Sequence, residues 1–454
     1  MLWTKCLLLS TATVIYRSRE TVQAGTCYQR ESNSNRLYGS KTSYAAVSGV
    51  DLQKPSDCTP IQVWMMSRHG TRYPSRETIT EFKTKLNLLK AKITEQSPMC
   101  WDDINAIRNW NTNLTIQDHY MLQAQGIEEL KTLALRLKRQ FPNLFSTNYD
   151  ASKFKFLSSP KPRATASATV FFQSLFNTNP EKDLPTTKND DRISLSKCKV
   201  IVDDDAMDGS EEVNKFQNSP SVQSVVSSVS MKMGLSNNLT YNDVQLIFES
   251  CRYEKAWYPQ SSPAWCALFS HNDLEILEYL EDLKYYYSNA YGNPNGERLG
   301  CPIVKDMINN FKNIARGQIT PSGVFYFGHT PNVLSIVTRM GIAKDNIPLL
   351  SSNFEKQRGR NWRTSFIDPF ASNFIAVFYK CREGNKVMFL LNEHAIPMTK
   401  ESCKLCPWEP IENTLNPIIS NQSCTLDFCS SFALCPSINT SVIVFIFIFT
   451  VLKM

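Results

Sequence analysis

The chain has 454 residues, 42% hydrophobic and 20% charged, with ordinary amounts of Gly and Pro. This excludes a collagen-like, low-complexity or broadly disordered chain, and the length suits one large domain or two intimately joined ones rather than a small disulfide knot. The net charge of +7 falls to about +4 without the charges of the two terminal segments described below, a mild excess that suits an anionic ligand, and the absence of a polybasic run with interleaved aromatics argues against nucleic acid.

At the N-terminus Lys5 precedes the apolar run Cys6 to Tyr16, and a polar stretch ends in Val22-Gln23-Ala24. The run is too short for a comfortable membrane span, so residues 1–24 are expected to be a secretory signal peptide cleaved near Ala24. Ile61 to Met66 reads as a buried strand running into Ser67-Arg68-His69-Gly70, and Arg76 to Gln96 as a helix broken before Pro98. Met121 to Phe141 is a stronger helix, with Leu130, Leu133, Leu137 and Phe141 on one face and Pro142 ending it. Phe154 to Leu157 reads as a strand leading to Ser158-Ser159-Pro160-Lys161-Pro162-Arg163, with a helix from Ala164 to Phe176.

From 177 to 300 polar stretches alternate with helical segments, the best being Asp273 to Tyr287, so this span is expected to be an inserted, mostly α-helical cap. The strand pattern returns at Gly323 to Phe327, which meets Gly328-His329-Thr330 before a helix Asn332 to Met340. Phe374 to Tyr379 and Lys386 to Leu391 form a strand pair. The expected fold is α/β: a central mixed or mostly parallel sheet flanked by helices, built from 25–176 and 301–400 around the 177–300 cap.

Residues 401–430 form a Cys-rich segment, and 431–454 a hydrophobic tail. Its Val442 to Leu452 run is too short for a transmembrane helix and fits a GPI-attachment signal with Ser430 or Ser431 near the attachment point; a short true anchor or a C-terminal strand is the alternative. Of 14 cysteines, Cys6 would leave with the signal and Cys435 with the tail. The remaining twelve are an even set expected to pair as disulfides in an oxidising compartment. Cys403 and Cys406 form a C-x-x-C, but with no second such pair and no His close after it a structural disulfide is favoured over a redox or zinc site. Asn113, Asn238 and Asn421 sit in glycosylation sequons; Asn439 would leave with the tail. These features together predict a secreted or cell-surface protein, with the ER lumen as an alternative.

Three strand ends carry the chemistry: Arg68 with His69, Arg163, and His329. Ligands of open α/β sheets bind at the carboxyl ends of strands, so these distant segments are expected to share one crevice. Arg68, Arg72 and Arg163 offer planar forks that match phosphate oxygens, and the two histidines beside them suggest phosphoryl chemistry with one as nucleophile. Two histidines could also ligate zinc, but cationic neighbours favour an anion over a metal, and no cofactor or metal is expected.

Arg68-His69-Gly70-Thr71-Arg72-Tyr73-Pro74 resembles the signature of the histidine acid phosphatases, and most closely that of the multiple inositol polyphosphate phosphatases. Leu122 to Phe145, Trp265-Cys266, Leu277 to Tyr286, Phe370 to Asn373 and Leu390 to Glu393 are similar to the same branch, so the resemblance spans about Leu37 to Pro397. It implies that His69 attacks phosphorus to form a phosphohistidine, that Arg68, Arg72 and Arg163 hold the equatorial oxygens, and that His329 donates a hydrogen bond to the same group. Lys161, Thr71 and Thr330 are substrate-binding candidates. The implied substrates are inositol polyphosphates, with 2,3-bisphosphoglycerate as a second.

The resemblance also implies an acid directly after the second histidine, or one residue later, to protonate the leaving alkoxide. Those positions are Thr330 and Pro331, and the Lys-His-Arg expected before the third arginine reads Lys161-Pro162-Arg163. Three readings follow: Glu393 or Asp368 supplies the proton, although Glu393 also reads as a pairing residue at a strand end; water does, giving a slow enzyme; or the protein binds inositol polyphosphates without efficient turnover. A general secreted acid phosphatase is a further alternative.

Overall fold

The computed structural model describes residues 27–28, 35–49, 55–145, 149–178, 186–187, 190–195, 198, 210–236, 239–398, 403–420 and 424–429. The signal peptide, the tail, Asn238 and Asn421 lie outside them; Asn113 is exposed in a loop.

Eight strands form one mixed sheet: β1 (Cys58–Arg68), β2 (Phe154–Ser158), β3 (Thr186–Thr187), β4 (Gly323–Gly328), β5 (Asn373–Cys381), β6 (Gly384–Leu391), β7 (His394–Ile396) and β8 (Leu405–Pro407). The order is β3-β2-β4-β1-β5-β6-β7, with β8 also on β6. The half from β3 to β1 is parallel, and β5 to β8 add antiparallel. The short β3, β7 and β8 have too few residues to show a period and were not expected from sequence.

Alternation along the strands builds a core on each face of the sheet. Val63 and Met65 of β1 point to one side, where Phe325, Phe327, Phe154 and Phe156 meet the helices Ala124–Gln140 and Pro162–Phe176. Trp64 and Met66 point to the other, where Val324 and Tyr326 meet the helices Cys301–Ala315 and Trp408–Ser420. Pro162 and Pro331 sit in the first turns of their helices, where the missing N–H costs nothing.

The helix expected from Arg76 to Gln96 stops at Lys90, with a π-helical turn over Phe82–Leu86. The chain leaves it to dock on another segment: Thr94 N–H donates to the Met233 carbonyl, and its hydroxyl to that of Gly234. Helices at Glu211–Gln217, Pro220–Lys232, Tyr241–Trp257 and His271–Asn289 pack with Leu37, Tyr38, Trp362 and Phe370 into a third core. His271–Asn289 is buried on nearly every face, and its buried acids Glu278, Glu281 and Asp282 meet arginines. Arg360 pairs with Glu278 at 3.0 Å and Asp282 at 2.5 Å, and Arg252 with Glu281 at 3.0 Å. Removing one partner of such a pair would strand a buried charge.

Six disulfides pair the twelve expected cysteines: Cys27–Cys100, Cys58–Cys381, Cys198–Cys429, Cys251–Cys266, Cys301–Cys424 and Cys403–Cys406. Among the described residues no helix is long and apolar enough to cross a membrane.

The loop after β1 is clamped against the helix Ala124–Gln140. A Cβ at Gly126 would lie 2.2 Å from the Thr71 oxygen, and one at Gly70 2.6 Å from the Gly126 oxygen. In an isolated helix Gly→Ala gains about 1 kcal/mol. At this contact Gly126→Ala is expected instead to lose about 1–3 kcal/mol, because backbone must move. Chemical denaturation checks it; a stabilised variant contradicts the close approach.

Candidate active site

The parallel register sets the geometry. Arg68 is level with Gly328, and Ser158 with Phe327. His69 N–H then donates to the Gly328 carbonyl at 3.0 Å, and Ser159 N–H to Phe327 at 2.9 Å. Each of three adjacent strands thus ends one residue before a polar side chain: Ser159, His329 and His69. The two imidazole rings lie 5.5 Å apart, and Arg68, Arg72 and Arg163 all act electrostatically on His69. The five candidate residues His69, His329, Arg68, Arg72 and Arg163 come together at one end of the sheet.

His69 is fully buried. Burial, then the charges of Arg163 and Arg68, hold its pKa well below the usual histidine range. Its Nδ1 is 2.8 Å from the Gly70 carbonyl oxygen. That oxygen can only accept, so Nδ1 carries the proton and the lone pair of the neutral ring is on Nε2. His329 Nε2 is 2.7 Å from Ser159 Oγ. His329 also precedes the helix Thr330–Arg339, and its N–H donates to Asn332 Oδ1 at 2.9 Å. A ten-residue helix therefore turns its positive end toward the site.

The arginines are held by oxygens and rings. Arg68 Nη1 donates to the Ser40 carbonyl at 2.6 Å and the Asp368 carbonyl at 2.8 Å, and lies 3.3 Å from Asp368 Oδ2. Its guanidinium carbon sits 4.8 Å from the Phe370 ring centre. Arg72 Nη1 donates to the Tyr73 carbonyl and to Tyr253 Oη, both at 2.9 Å. Arg72 and Arg163 both lie over the Tyr120 ring, at 4.9 and 5.1 Å.

The remaining candidates separate. Thr330 is buried next to His329, and its hydroxyl has no hydrogen-bond partner among the described residues. Lys161 is exposed where the helix Pro162–Phe176 begins. Thr71 turns away from a ligand role: its N–H and hydroxyl donate to the two carboxyl oxygens of Glu129, at 2.8 and 2.9 Å. Burial pushes Glu129 up to about 7 against those bonds. Glu393 accepts from Arg136 Nε at 2.8 Å, Arg136 Nη2 at 2.7 Å and the Tyr44 hydroxyl at 2.6 Å. Those bonds give it the surroundings of a pairing residue.

Sequence reasoning missed Ser40, Ser159, Glu129, Tyr120 and Tyr253. Ser159 had a signal in its place at the end of β2, and Glu129 in the Gly126-x-x-Glu129 spacing of its helix. The others arrive through tertiary packing, with no local pattern to mark them.

The chain matches the model of the histidine phosphatase superfamily (branch 2) over residues 61–392. It is 31% identical to multiple inositol polyphosphate phosphatase 1 of Drosophila melanogaster, over 85% of this chain and 86% of the relative. It is 29% identical to the Homo sapiens protein of the same name, over 87% and 88%. In fold it is similar to the crystal structure of the phytase from D. castellii, with TM-score 0.65, 16% identity and 90% and 89% of the chains covered. The Bifidobacterium longum multiple inositol polyphosphate phosphatase complexed with inositol hexasulfate gives TM-score 0.60, 14% identity and 86% and 99% coverage. The family match over residues 61–392 and the 31% identity to the Drosophila melanogaster relative together show that the chain belongs to the histidine phosphatase superfamily, branch 2.

Proposed function

We propose that the protein is a phosphomonoesterase that hydrolyses inositol polyphosphates through a phosphohistidine at His69. The observation that carries this is the placement of His69, in its Nδ1–H tautomer, 5.5 Å from His329 among three buried arginines. His69 Nε2 bonds to phosphorus as the bond from phosphorus to the leaving oxygen breaks. Arg68, Arg72 and Arg163 hold the equatorial oxygens as charge develops on them, with His329 and the Thr330 hydroxyl donating to the same group. Water then attacks phosphorus, the P–N bond breaks, and inorganic phosphate leaves with His69 regenerated. Thr71 and Glu129 act as a buttress beneath the loop, and Lys161 meets a neighbouring substrate phosphate at the rim. Dense anions suit a site of this charge. The Bifidobacterium longum structures, complexes with inositol hexasulfate and with phosphate, support the same ligand class.

Thr330 and Pro331 stand where the family carries its acid. We read the leaving oxygen as protonated by water rather than by Glu393, which accepts three bonds, or Asp368, which sits against Arg68. This lowers the rate, because general acid help is worth about 10²–10⁴-fold. The same positions favour the second reading, capture of inositol polyphosphates without efficient turnover. Passage through the secretory pathway is part of the proposal and is supported by the six disulfides. Surface attachment through the C-terminal tail is proposed from the sequence alone.

Phosphate release from inositol hexakisphosphate and from p-nitrophenyl phosphate separates these readings. Release from the inositol compound is expected, and His69→Ala is expected to cut it by at least about 10³-fold with the thermal midpoint retained. Binding without release supports capture; release from the simple ester alone supports a general acid phosphatase. Pro331→Glu is expected to raise kcat on inositol hexakisphosphate by about 10-fold or more if protonation limits it. An unchanged kcat means that another group already supplies the proton or that protonation does not limit the rate.

A further inference from the structure

Tyr120 is a residue that neither the signature nor the proposed chemistry explains. Its backbone φ is +59°, in the left-handed region that a bulky side chain disfavours and a glycine adopts freely. Such an outlier persists only where its surroundings over-determine it. Here they do. The chain enters after the 3₁₀ turn Ile116–Asp118 and pairs backbone to backbone with the signature loop. Tyr120 N–H donates to the Pro74 carbonyl at 3.0 Å, Tyr73 N–H to Met121 at 2.9 Å, and Gln123 N–H to Thr71 at 2.9 Å. This pairing fixes Tyr120 to the loop that carries Arg72.

The ring then meets two guanidiniums that reach it from different elements. Arg72 comes from the loop after β1, and Arg163 from the helix after β2. Their central carbons lie 4.9 and 5.1 Å from the ring centre. Two like charges so placed repel each other when no anion lies between them. The negative face of an aromatic ring attracts both and favours flat guanidinium orientations, and the ring is only half-buried, at the rim of the site. Tyr253 supports Arg72 separately, accepting Nη1 at 2.9 Å.

We propose that Tyr120 is a positioning residue that holds Arg72 and Arg163 together in the orientation that receives a phosphoryl group. It acts through its ring face, and the positive φ at residue 120 is the strain that places that face. The proposal rests on the phosphatase reading, because it assigns the two arginines to one phosphate.

The test compares Tyr120→Gly, Tyr120→Asn and Tyr120→Phe with the parent. Three quantities are read: affinity for inorganic phosphate by calorimetry, kcat/KM on inositol hexakisphosphate, and thermal midpoint. Gly and Asn suit the positive φ, so both variants are expected to keep or raise the thermal midpoint. Both are expected to lose about tenfold in phosphate affinity and in kcat/KM, the scale of two partly desolvated cation–π contacts. Phe keeps the ring and is expected to rescue both losses. Parental affinity and kcat/KM in Gly and Asn overturn the proposal while leaving the phosphatase reading standing. A Phe variant as weak as Gly moves the role to the hydroxyl and overturns it too, as does a loss that tracks a fall in midpoint in both Gly and Asn. A parent that neither binds nor releases phosphate defeats the phosphatase reading itself.

Discussion

Three parallel strands end at one level, and the site depends on that register. Gly328 opposite Arg68 and Phe327 opposite Ser158 put His329 between His69 and Ser159. A slip of one residue would turn each polar side chain to the other face of the sheet and disperse the cluster. The register is held from both faces: Val63, Met65, Phe325 and Phe327 are sealed by one pair of helices, and Trp64, Met66, Val324 and Tyr326 by another. The antiparallel addition of β5 lets the segment just before it return to the same end. There Ala371 N–H donates to the His69 carbonyl, and Asp368 reaches Arg68.

Buried positive charge is the second requirement. An isolated guanidinium away from water is costly, and this fold offsets the cost without filling the site with carboxylates. Arg68 leans on backbone oxygens of Ser40 and Asp368, and Arg72 on the Tyr73 carbonyl and the Tyr253 hydroxyl. The Asp368 carboxylate reaches Arg68 at 3.3 Å, and Glu281 stands one layer back. Glu281 accepts from the Ser40 hydroxyl at 2.8 Å and pairs with Arg252, and its pKa is lowered to about 2, with Arg252 the largest of the charges that offset its burial. Donor capacity and positive potential are thereby kept for an incoming anion, while His69 stays uncharged and nucleophilic.

The parts of the fold with a clear period were legible in the sequence. β1, β2, β4 and the β5–β6 pair lie within a few residues of their expected places, because buried runs bounded by turn residues have few other readings. The helix from Arg76 ends at Lys90, short of the expected Gln96, since its end is set by docking of Thr94 onto Met233 and Gly234. The helix at Asp273 to Tyr287 is legible from its apolar face, but the burial of Glu278, Glu281 and Asp282 is not, because Arg252, Arg360 and Arg363 come from elsewhere to meet them. In the site, the signature and the strand-end positions pointed to the histidines and arginines. The signature makes Thr71 a substrate-binding candidate, whereas Glu129, 58 residues away, claims both of its donors. Tyr120 could not be read at all: nothing local shows that a tyrosine will accept a glycine-like φ or lie under two distant arginines.

The covalent bond at His69 is the claim on which the chemistry turns. Rapid mixing with inositol hexakisphosphate, an alkaline quench that preserves a P–N bond, and mass spectrometry of the peptides test it directly. The expected result is a phosphoryl group on His69 that appears and decays within turnover. Steady release of phosphate with His69 never modified, or with the phosphoryl group on another residue, would contradict it.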